Sequence, residues 1–537
     1  MTDVTSGTSP SQSQLVNLLQ LYQAGRYGDA AQLALSLTGQ FPRDQFSWKV
    51  LAAALKQTGK VSEALAANRK AVELDTQDAE AHYNLGNTLQ ELGRLEDAQA
   101  SYQLAIRLKP DYAKAYSDLG NTLKKLGQLE DAETSYRQAI TLIPGFAGAH
   151  FNLGLLLQEL DRIEEAAACY RQATTLDSRY AAAHINLGGV LKALGRLSDA
   201  EASYKQAIAL QPNVAEPHNS LGITLQALNR FKEAEASYNR AIALKPDYSD
   251  AYLNRGQLLF EKGDYAAALK DFDACDTDDS RAGALACLCA LEREEEIYNR
   301  IERQAEIDDT NIKVAAISAF VTDRYKKETA HNFCKNPLNF LTFSTISSHI
   351  ENPGPYIAQV IEELRAIESV WEPSNQSIHG GFQSHRNFLE NPPGILQSLK
   401  AILIKELDAY HAKFSNEPCS YIQKWPTGNN LSGWYVILKP QGYHYPHIHP
   451  SGWLSGVVYL QVAPSAGENE GAIEFCLGGE HYSDDKAAKI THNPQAGDIV
   501  MFPSSLHHRT LPFTADAERI VLAFDLCPDL PPVGKHR

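Results

Sequence analysis

The chain has 537 residues, 44% of them hydrophobic and 21% charged, which is the composition of an ordinary globular protein of two or three domains. Its formal net charge of -16 argues against nucleic acid or an anionic membrane as the main partner, because both attract basic patches. The N-terminus is polar and no apolar run is long enough to cross a membrane. The eight cysteines include no CxxC pair. We therefore expect a cytoplasmic protein with reduced thiols and a disordered segment at residues 1–10.

A 34-residue period occupies the first half of the chain. Each unit, such as AEAHYNLGNTLQELGRLEDAQASYQLAIRLKPDY (79–112), contains two helical apolar patterns, a glycine-centred turn and a closing proline. The pattern resembles the tetratricopeptide repeat, which implies about eight units over residues 11–280 and a superhelix whose groove holds a peptide or protein. Two series of glycines keep the period: Gly86, Gly120, Gly154, Gly188, Gly222 and Gly256, and Gly25, Gly59, Gly93, Gly127, Gly195 and Gly263, with Asp161 and Asn229 filling the gaps of the second.

Asparagine recurs at one phase of the period, at Asn84, Asn152, Asn186 and Asn254. An amide side chain offers a donor and an acceptor together, so a series of them could bind the backbone of an extended peptide. The series resembles that in the superhelix of O-linked N-acetylglucosamine transferase, which holds substrate peptides in this way. The alternative is that these asparagines bond within their own repeats.

The period is lost after residue 280. Residues 281–335 have helical patterns that would cap the repeats, and residues 336–537 are predicted to form a β domain with flanking helices at 355–368 and 394–414. The stretch GGFQSHRNF (380–388) is interpreted as helical. Short apolar runs separated by proline and glycine predict an antiparallel β jelly roll with strands at 434–439, 454–462, 472–477, 498–503 and 519–526.

The stretch HYPHIHPSGWLSGVVYL (444–460) concentrates histidines directly before an apolar strand. In an extended segment His447 and His449 lie on the same side, so two neutral nitrogen ligands could converge on one ion. An isolated HxH pair is a weak signal, but His508 follows a later strand, and Arg519 begins another. An arginine entering a core strand is costly unless it meets an anion.

The order of these parts resembles the 2-oxoglutarate and Fe(II)-dependent oxygenases, in particular a prolyl-hydroxylase-like bacterial group with an HxHPxxxLSGVxYL core. That resemblance covers residues 336–537 and implies a double-stranded β-helix. The motif positions in this sequence are His447-Ile448-His449, Tyr459-Leu460, Gly471 with Phe475, Pro494 with Gly497 and Phe502, His508 with Pro512, and Arg519.

Carried over by position, the resemblance implies that His447, His449 and His508 bind Fe(II), with O2 and 2-oxoglutarate as cosubstrates. Arg519 would pair with the distal carboxylate of 2-oxoglutarate, and Tyr459 and, more weakly, Ser455 would assist. His449 stands where most of the family has Asp or Glu, so it either ligates the iron or lies beside it. We interpret His444 as an exposed loop residue, although it could meet substrate, and His507 as structural.

These features together predict a dioxygenase that hydroxylates a protein or peptide held by the tetratricopeptide groove. A cupin would share the HxH pair, but it needs a nearby Glu that the sequence after His449 lacks. The remaining alternative is a non-catalytic scaffold whose β domain has lost iron and binds a partner. The absent carboxylate favours that alternative, and a fold resemblance alone does not exclude it.

Overall fold

The structure is a computed structural model that describes residues 9–373, 377–384, 387–464, 467–479 and 482–528. Residues 1–8, most of the segment predicted to be disordered, lie outside the described residues. The chain forms two compact units, Met1–Pro246 and Asp247–Arg537, each described here by itself. The domain boundaries near residues 280 and 335 remain predictions from sequence.

The first unit is a tetratricopeptide superhelix, as the period predicted. Each repeat contributes two helices that pack against each other, joined by a tight turn. Its helices are α1 Gln12–Gln23, α2 Tyr27–Gln40, α3 Gln45–Gln57, α4 Val61–Leu74, α5 Ala79–Glu91, α6 Leu95–Leu108, α7 Ala113–Lys125, α8 Leu129–Leu142, α9 Ala147–Glu159, α10 Ile163–Leu176, α11 Ala181–Ala193, α12 Leu197–Leu210, α13 Ala215–Ala227 and α14 Phe231–Leu244.

The two glycine series have different physical causes. A Cβ atom added to Gly120 on α7 would lie 2.6 Å from the buried ring of Tyr136 on α8, so the helices approach this closely only without a side chain. In the second series the turn residue has positive φ, for example 75° at Gly127. Asp161 and Asn229 adopt the same conformation with φ of 57° and 58°, which explains why they can fill the gaps of that series.

In the second unit, five helices of the described chain precede the β domain, and two more that are longer than a single turn lie between its strands. Helices occur at all the segments where the sequence predicted caps or flanking helices. They are α15 Ser249–Glu261, α16 Tyr265–Asp273, α17 Asp278–Ala290, α18 Glu294–Gln304, α19 Ile312–Tyr325, α20 Pro353–Arg365 and α21 Gly394–Phe414, followed by the single turn α22 Ser420–Gln423.

The β domain has two antiparallel sheets, which confirms the predicted jelly-roll class. The larger has the order β1-β8-β5-β10-β4-β3-β2 and the smaller the order β7-β6-β9. The strands are β1 Thr342–Thr345, β2 Ser369–Trp371, β3 Ile378–Ser384, β4 Leu431–His444, β5 Leu454–Gln461, β6 Ile473–Cys476, β7 Lys489–His492, β8 Asp498–Pro503, β9 His507–Thr510 and β10 Arg519–Leu526.

The helical interpretation of residues 380–388 was wrong for the residues that the structure describes. Residues up to Ser384 belong to β3, which pairs with β4 through partners such as Phe382 and Ile437, while 385–386 lie outside the described residues. Gly381 fits there because a Cβ atom would lie 2.7 Å from the carbonyl oxygen of Ile437. Pairing with a neighbouring strand, rather than a local pattern, therefore makes this segment extended.

An apolar cluster fills the space around the strands that carry the candidate site. It includes Tyr459 on β5, Phe475 on β6, Phe502 on β8 and Val521 on β10, all buried. Such packing restricts side chains to single rotamers and fixes the ends of the strands. The histidines after β4 and on β9 are held at the edge of this cluster.

Candidate metal centre

Three histidines of the second unit converge where the two sheets meet. His447 lies in the segment after β4 and forms an antiparallel bridge with His508 on β9, with N–O distances of 3.1 and 3.0 Å between their main chains. The main-chain NH of His449 donates to the carbonyl oxygen of Ser504 at 3.1 Å. The ring centroid of His447 lies 4.3 Å from the ring centroid of His508 and 5.2 Å from that of His449. Main-chain hydrogen bonds thus fix all three imidazoles.

The second ring nitrogen of each histidine has a polar partner. Nδ1 of His447 lies 2.7 Å from the carbonyl oxygen of Tyr445, and Nδ1 of His508 lies 3.2 Å from that of Leu506. A carbonyl oxygen only accepts, so both Nδ1 atoms carry the proton and both Nε2 atoms keep their lone pairs. One ligand nitrogen from each of the three histidines lies within 4.8 Å of those of the other two. This is the donor set of a three-imidazole metal site.

Burial keeps two of these rings neutral. Burial and the neighbouring His449 lower the pKa of His447 to about 3. Burial also lowers the pKa of His508 well below its usual range, with further contributions from His447 and His449. Neutral imidazole is the form that binds a metal ion, so the pocket favours binding before any ion enters.

A carboxylate that the sequence analysis missed supports the third histidine. Oδ1 of Asp525, the seventh residue of β10, lies 2.7 Å from Nδ1 of His449. Ser455 lies beside this pair, and its Oγ is 2.7 Å from Oδ1 of Asp525 and 3.0 Å from Nδ1 of His449. Asp525 thereby holds His449 in the tautomer whose Nε2 is open to a metal. Ser455 contacts this pair and does not line the cavity, so its predicted contact with cosubstrate lacks support here.

The predicted anion site lies in the same cavity as the histidines. This cavity has a volume of about 600 Å3 and is lined by the three histidines, Asp525, Arg519 and Tyr459, among others. The guanidinium carbon of Arg519 lies 5.1 Å from the centroid of the Tyr459 ring, and both side chains are buried. Arg519 donates to Oγ1 of Thr510 at 2.8 Å but, among the described residues, has no acidic partner.

Two buried polar atoms of this pair remain unsatisfied. Nε of Arg519 and the hydroxyl of Tyr459 make no hydrogen bond with any described residue. Burial lowers the pKa of Arg519 and raises the pKa of Tyr459 to about 12, in the latter case against the opposing effect of the guanidinium. Unpaired buried groups of this kind are rare and costly, and a bound carboxylate would satisfy both.

The other two histidines of the motif lie on different faces. The sequence analysis interpreted His444 as an exposed loop residue, and this was wrong. His444 is the last residue of β4 and lines the cavity, and its Nδ1 lies 3.2 Å from Oγ1 of Thr510. The alternation of β9 directs His507 away from His508, toward the hydroxyl of Tyr482 at 3.4 Å. The structural interpretation of His507 is compatible with this position.

The donor set fits ferrous iron. Imidazole nitrogen is a ligand that suits iron, although it also suits zinc, copper and nickel. Imidazole ligands do not compensate the charge of a divalent ion, and Asp525 is the one acidic residue among the described residues of the cavity wall. Arg519 and Tyr459 add a carboxylate-binding end to the same cavity, which a simple structural metal site would not need.

Family models match both halves of the chain. Residues 432–525, which contain every side chain of the candidate site, match the family described as "Putative 2OG-Fe(II) oxygenase". The chain therefore carries tetratricopeptide repeats followed by a C-terminal segment that matches a putative 2OG-Fe(II) oxygenase family. Tetratricopeptide models match residues 219–282, 77–144, 179–247, 52–93 and 159–195.

Solved structures similar to the repeats of this chain include YrrB, described as a TPR protein with an unusual peptide-binding site. It is 24% identical, with 35% of this chain and 96% of YrrB covered and a TM-score of 0.32. PilF of Pseudomonas aeruginosa is 21% identical, with 38% and 94% covered and a TM-score of 0.33. The Cut9-Hcn1 hetero-tetramer of APC/C is 19% identical, with 47% and 49% covered and a TM-score of 0.38. No curated protein sequence matches the chain.

The asparagine series of the repeats is accessible in the first unit. Asn84, Asn152 and Asn186 are half-buried, and within the described chain none of their side-chain amides makes a hydrogen bond. By contrast, Oδ1 of Asn121 accepts from the hydroxyl of Tyr136 at 2.8 Å. The alternative that the series bonds within its own repeats therefore lacks support at these three positions.

None of the described helices is long and apolar enough to cross a membrane.

Proposed function

We propose that the protein is a 2-oxoglutarate- and Fe(II)-dependent dioxygenase that hydroxylates a protein or peptide substrate. The observation that carries this proposal is one cavity with two ends: three converging histidines lie at one end, and at the other lies a buried arginine that has no acidic partner among the described residues. Neither a cupin nor a simple scaffold needs the second end. With iron bound, O2 and 2-oxoglutarate would convert a substrate C–H bond into C–OH, giving succinate and CO2.

The chain's own residues would bind and orient the participants. His447, His449 and His508 would hold the iron through Nε2. Arg519 would pair with the distal carboxylate of 2-oxoglutarate, since a guanidinium binds a carboxylate through two parallel hydrogen bonds. The hydroxyl of Tyr459 would donate a further hydrogen bond to that carboxylate. The buried strands behind these residues keep bulk water out and the side chains rigid.

The repeats support a polypeptide substrate rather than a metabolite. In the first unit Asn84, Asn152 and Asn186 offer amides without hydrogen bonds among the described residues, at one phase of the helical period. Each amide could bond one peptide unit of an extended chain without reading its side chain. Asn254 occupies the same phase of the period in the second unit. Affinity would then come from the repeats and specificity from the metal cavity.

The direct test uses the full chain with Fe(II), 2-oxoglutarate and O2. We expect one iron per chain, release of succinate, and a gain of one oxygen in lysate proteins examined by mass spectrometry. The matched sample without 2-oxoglutarate should show no such gain. A chain that binds neither iron nor 2-oxoglutarate would instead be the non-catalytic scaffold, and iron binding without succinate release would contradict the proposed reaction.

A further inference from the structure

The metal cavity extends along one face of β10. Alternate residues of this strand line the cavity, namely Arg519, Val521, Ala523 and Asp525, whereas the residues between them belong to a separate apolar core. Six residues of a strand span about 20 Å, so Arg519 and Asp525 mark opposite ends of the cavity. The proposed function assigns 2-oxoglutarate to the Arg519 end and gives no role to the space at the other end.

The strands on either side of β10 add an apolar floor beside the metal centre. Trp434 of β4 and Val457 of β5 are the register partners of Ala523, and these three side chains form the floor. The ring centroid of Trp434 lies 5.4 Å from that of His449. Trp434 is half-buried, so part of its indole is accessible. An apolar group on this floor would therefore lie beside a candidate iron ligand.

Polar groups without partners surround the floor. Oδ1 of Asp525 contacts His449 and Ser455, whereas its Oδ2 makes no hydrogen bond with any described residue. Ser432, the register partner of Asp525 on β4, is half-buried, and its hydroxyl has no partner in the described parts of the chain. The indole NH of Trp434 also lacks an acceptor among the described residues. The floor is therefore bordered by a free acceptor and two free donors.

This combination suits one residue of a polypeptide. A peptide group offers its NH to an acceptor such as Oδ2 of Asp525, and its carbonyl oxygen to a donor such as the hydroxyl of Ser432. The ring of Trp434 would pack against the side chain, because an aromatic ring provides a large and rigid apolar contact. Apolar walls with a few placed polar groups are typical of ligand sites.

The charges of the cavity would cancel once iron and cosubstrate are bound. Apart from histidines, Arg519 and Asp525 are the two ionisable residues of opposite charge among the described residues of the wall. Fe(II) and the 2-oxoglutarate dianion, which the proposed function places there, have equal and opposite charges. A charged substrate side chain would lose its hydration without a net attraction in return, so the cavity favours an uncharged one.

We propose that the floor seats the residue that is oxidised, and that Trp434 determines specificity by packing against an uncharged, apolar side chain of that residue. This inference rests on the proposed function and names its substrate class. Peptide groups of the same residue bond to Asp525 and Ser432. One atom of O2 enters the substrate C–H bond as a hydroxyl group, and the other enters succinate as 2-oxoglutarate loses CO2.

The test alters the floor and leaves the candidate metal ligands unchanged. Trp434→Ala removes the aromatic ring, Trp434→Phe keeps a smaller one, and Ser432→Ala removes a hydroxyl group. Trp371→Ala is the matched control, because Trp371 is 47% exposed on β2 and does not line the cavity. Circular dichroism checks that all four variants fold.

The probe is a synthetic dodecapeptide library with every amino acid in turn at the central position, incubated with the full chain, Fe(II), 2-oxoglutarate and O2. We expect oxidation at uncharged, apolar central residues. For such a peptide Trp434→Ala should raise KM about tenfold or more, because the packing of a large side chain is lost. Ser432→Ala should raise it about two- to tenfold, through the loss of one hydrogen bond. Trp434→Phe should recover most of the loss, and Trp371→Ala should match the parent.

A second readout does not depend on turnover. Without O2, binding of a fluorescent form of the same peptide to the chain loaded with Fe(II) and 2-oxoglutarate should weaken in Trp434→Ala by about the factor by which KM rises. Fe(II) and 2-oxoglutarate affinities, measured in parallel, should stay at parent values in all four variants. This separates a contact with substrate from an effect on the neighbouring His449.

Parent-level KM and peptide binding in Trp434→Ala would overturn this inference, and so would oxidation at a charged central residue. A fall in the Fe(II) affinity of Trp434→Ala that matches its loss of peptide oxidation would overturn it as well, since the indole would then act through His449. A parent chain that releases succinate yet oxidises no library peptide would overturn the inference and leave the dioxygenase proposal in place. A parent chain that binds neither Fe(II) nor 2-oxoglutarate would instead refute the proposed function, and this inference with it.

Discussion

Nδ1 of His449 lies 2.7 Å from Oδ1 of Asp525, and both side chains are largely buried. His449 occupies the position where the resembling oxygenases have an acidic ligand, so the sequence alone suggested a site that had lost its negative charge. In the tertiary structure the carboxylate of Asp525 contacts the imidazole of His449 and so places a negative charge next to the candidate ligand. A carboxylate that accepts from the distal nitrogen of a ligating histidine orients the ring and raises its basicity.

The charge of Asp525 should contribute directly to metal affinity. Asp525→Asn keeps the size of the side chain but removes the charge, so we expect a fall in Fe(II) or Co(II) affinity of about 10–100-fold. Equilibrium metal titration with absorption spectroscopy measures it. Asp498→Asn is the matched control, because Asp498 also faces a histidine, His492 at 3.3 Å, but does not line the cavity. Equal metal affinities in the two variants would mean that Asp525 does not contribute to metal binding.

A double-mutant cycle should show that Asp525 acts through His449. His449→Asp restores the acidic ligand of the resembling enzymes, so we expect it to retain or strengthen metal binding. In that background Asp525→Asn should cost little or improve binding, because two nearby carboxylates repel each other. The coupling is read from four metal titrations. An identical cost of Asp525→Asn in both backgrounds would mean that the carboxylate does not act through residue 449.

Of the two adjacent histidines on β9, only His508 should affect metal binding. His508→Ala removes one of three ligands and should abolish stable binding, because two imidazoles are too few. His507→Ala is the matched control, since its ring lies toward Tyr482. Both variants are compared by the metal content after dialysis. Full occupancy in His508→Ala would refute the three-histidine centre.

Arg519 should determine the affinity for 2-oxoglutarate without affecting the metal. Removing one partner of a buried ion pair costs about 3–5 kcal/mol, so Arg519→Ala should raise the 2-oxoglutarate concentration needed by hundreds-fold or more. Arg509→Ala is the control, because that arginine of β9 already donates to Oε1 of Glu474 at 2.8 Å. Succinate release against 2-oxoglutarate concentration is the measurement. An unchanged dependence would leave Arg519 a structural role only.

The asparagine series should affect long substrates more than short ones. Replacing Asn152 and Asn186 together with Ala should raise KM for a protein substrate by about tenfold and spare peptides that reach only the metal site. Asn121→Ala is the structural control, since it removes the hydrogen bond from Tyr136 and should lower Tm. Equal losses on long and short substrates would assign the series to stability instead.

Local sequence patterns determined most of the fold. The 34-residue period predicted the repeat helices because each glycine of the first series faces an aromatic ring one helix later, a contact that repeats with the sequence. Five apolar runs predicted β4, β5, β6, β8 and β10, since buried strands need continuous apolar residues. The histidine motif and Arg519 were also visible, because ligand spacing and a cation in an apolar strand are local signals.

The tertiary structure alone decided the environment of those residues. Strand β3 was missed because its glycines have no strand signal of their own, and it is extended because it pairs with β4. Asp525 was missed because it lies near the end of an apolar strand, 76 residues after His449. Only the register of β10 against β5, which sets Asp525 opposite Ser455, brings its carboxylate to the imidazole. The candidate metal ligands can therefore be predicted from local sequence. The carboxylate of Asp525 that supports one of them depends on strand pairing between distant segments.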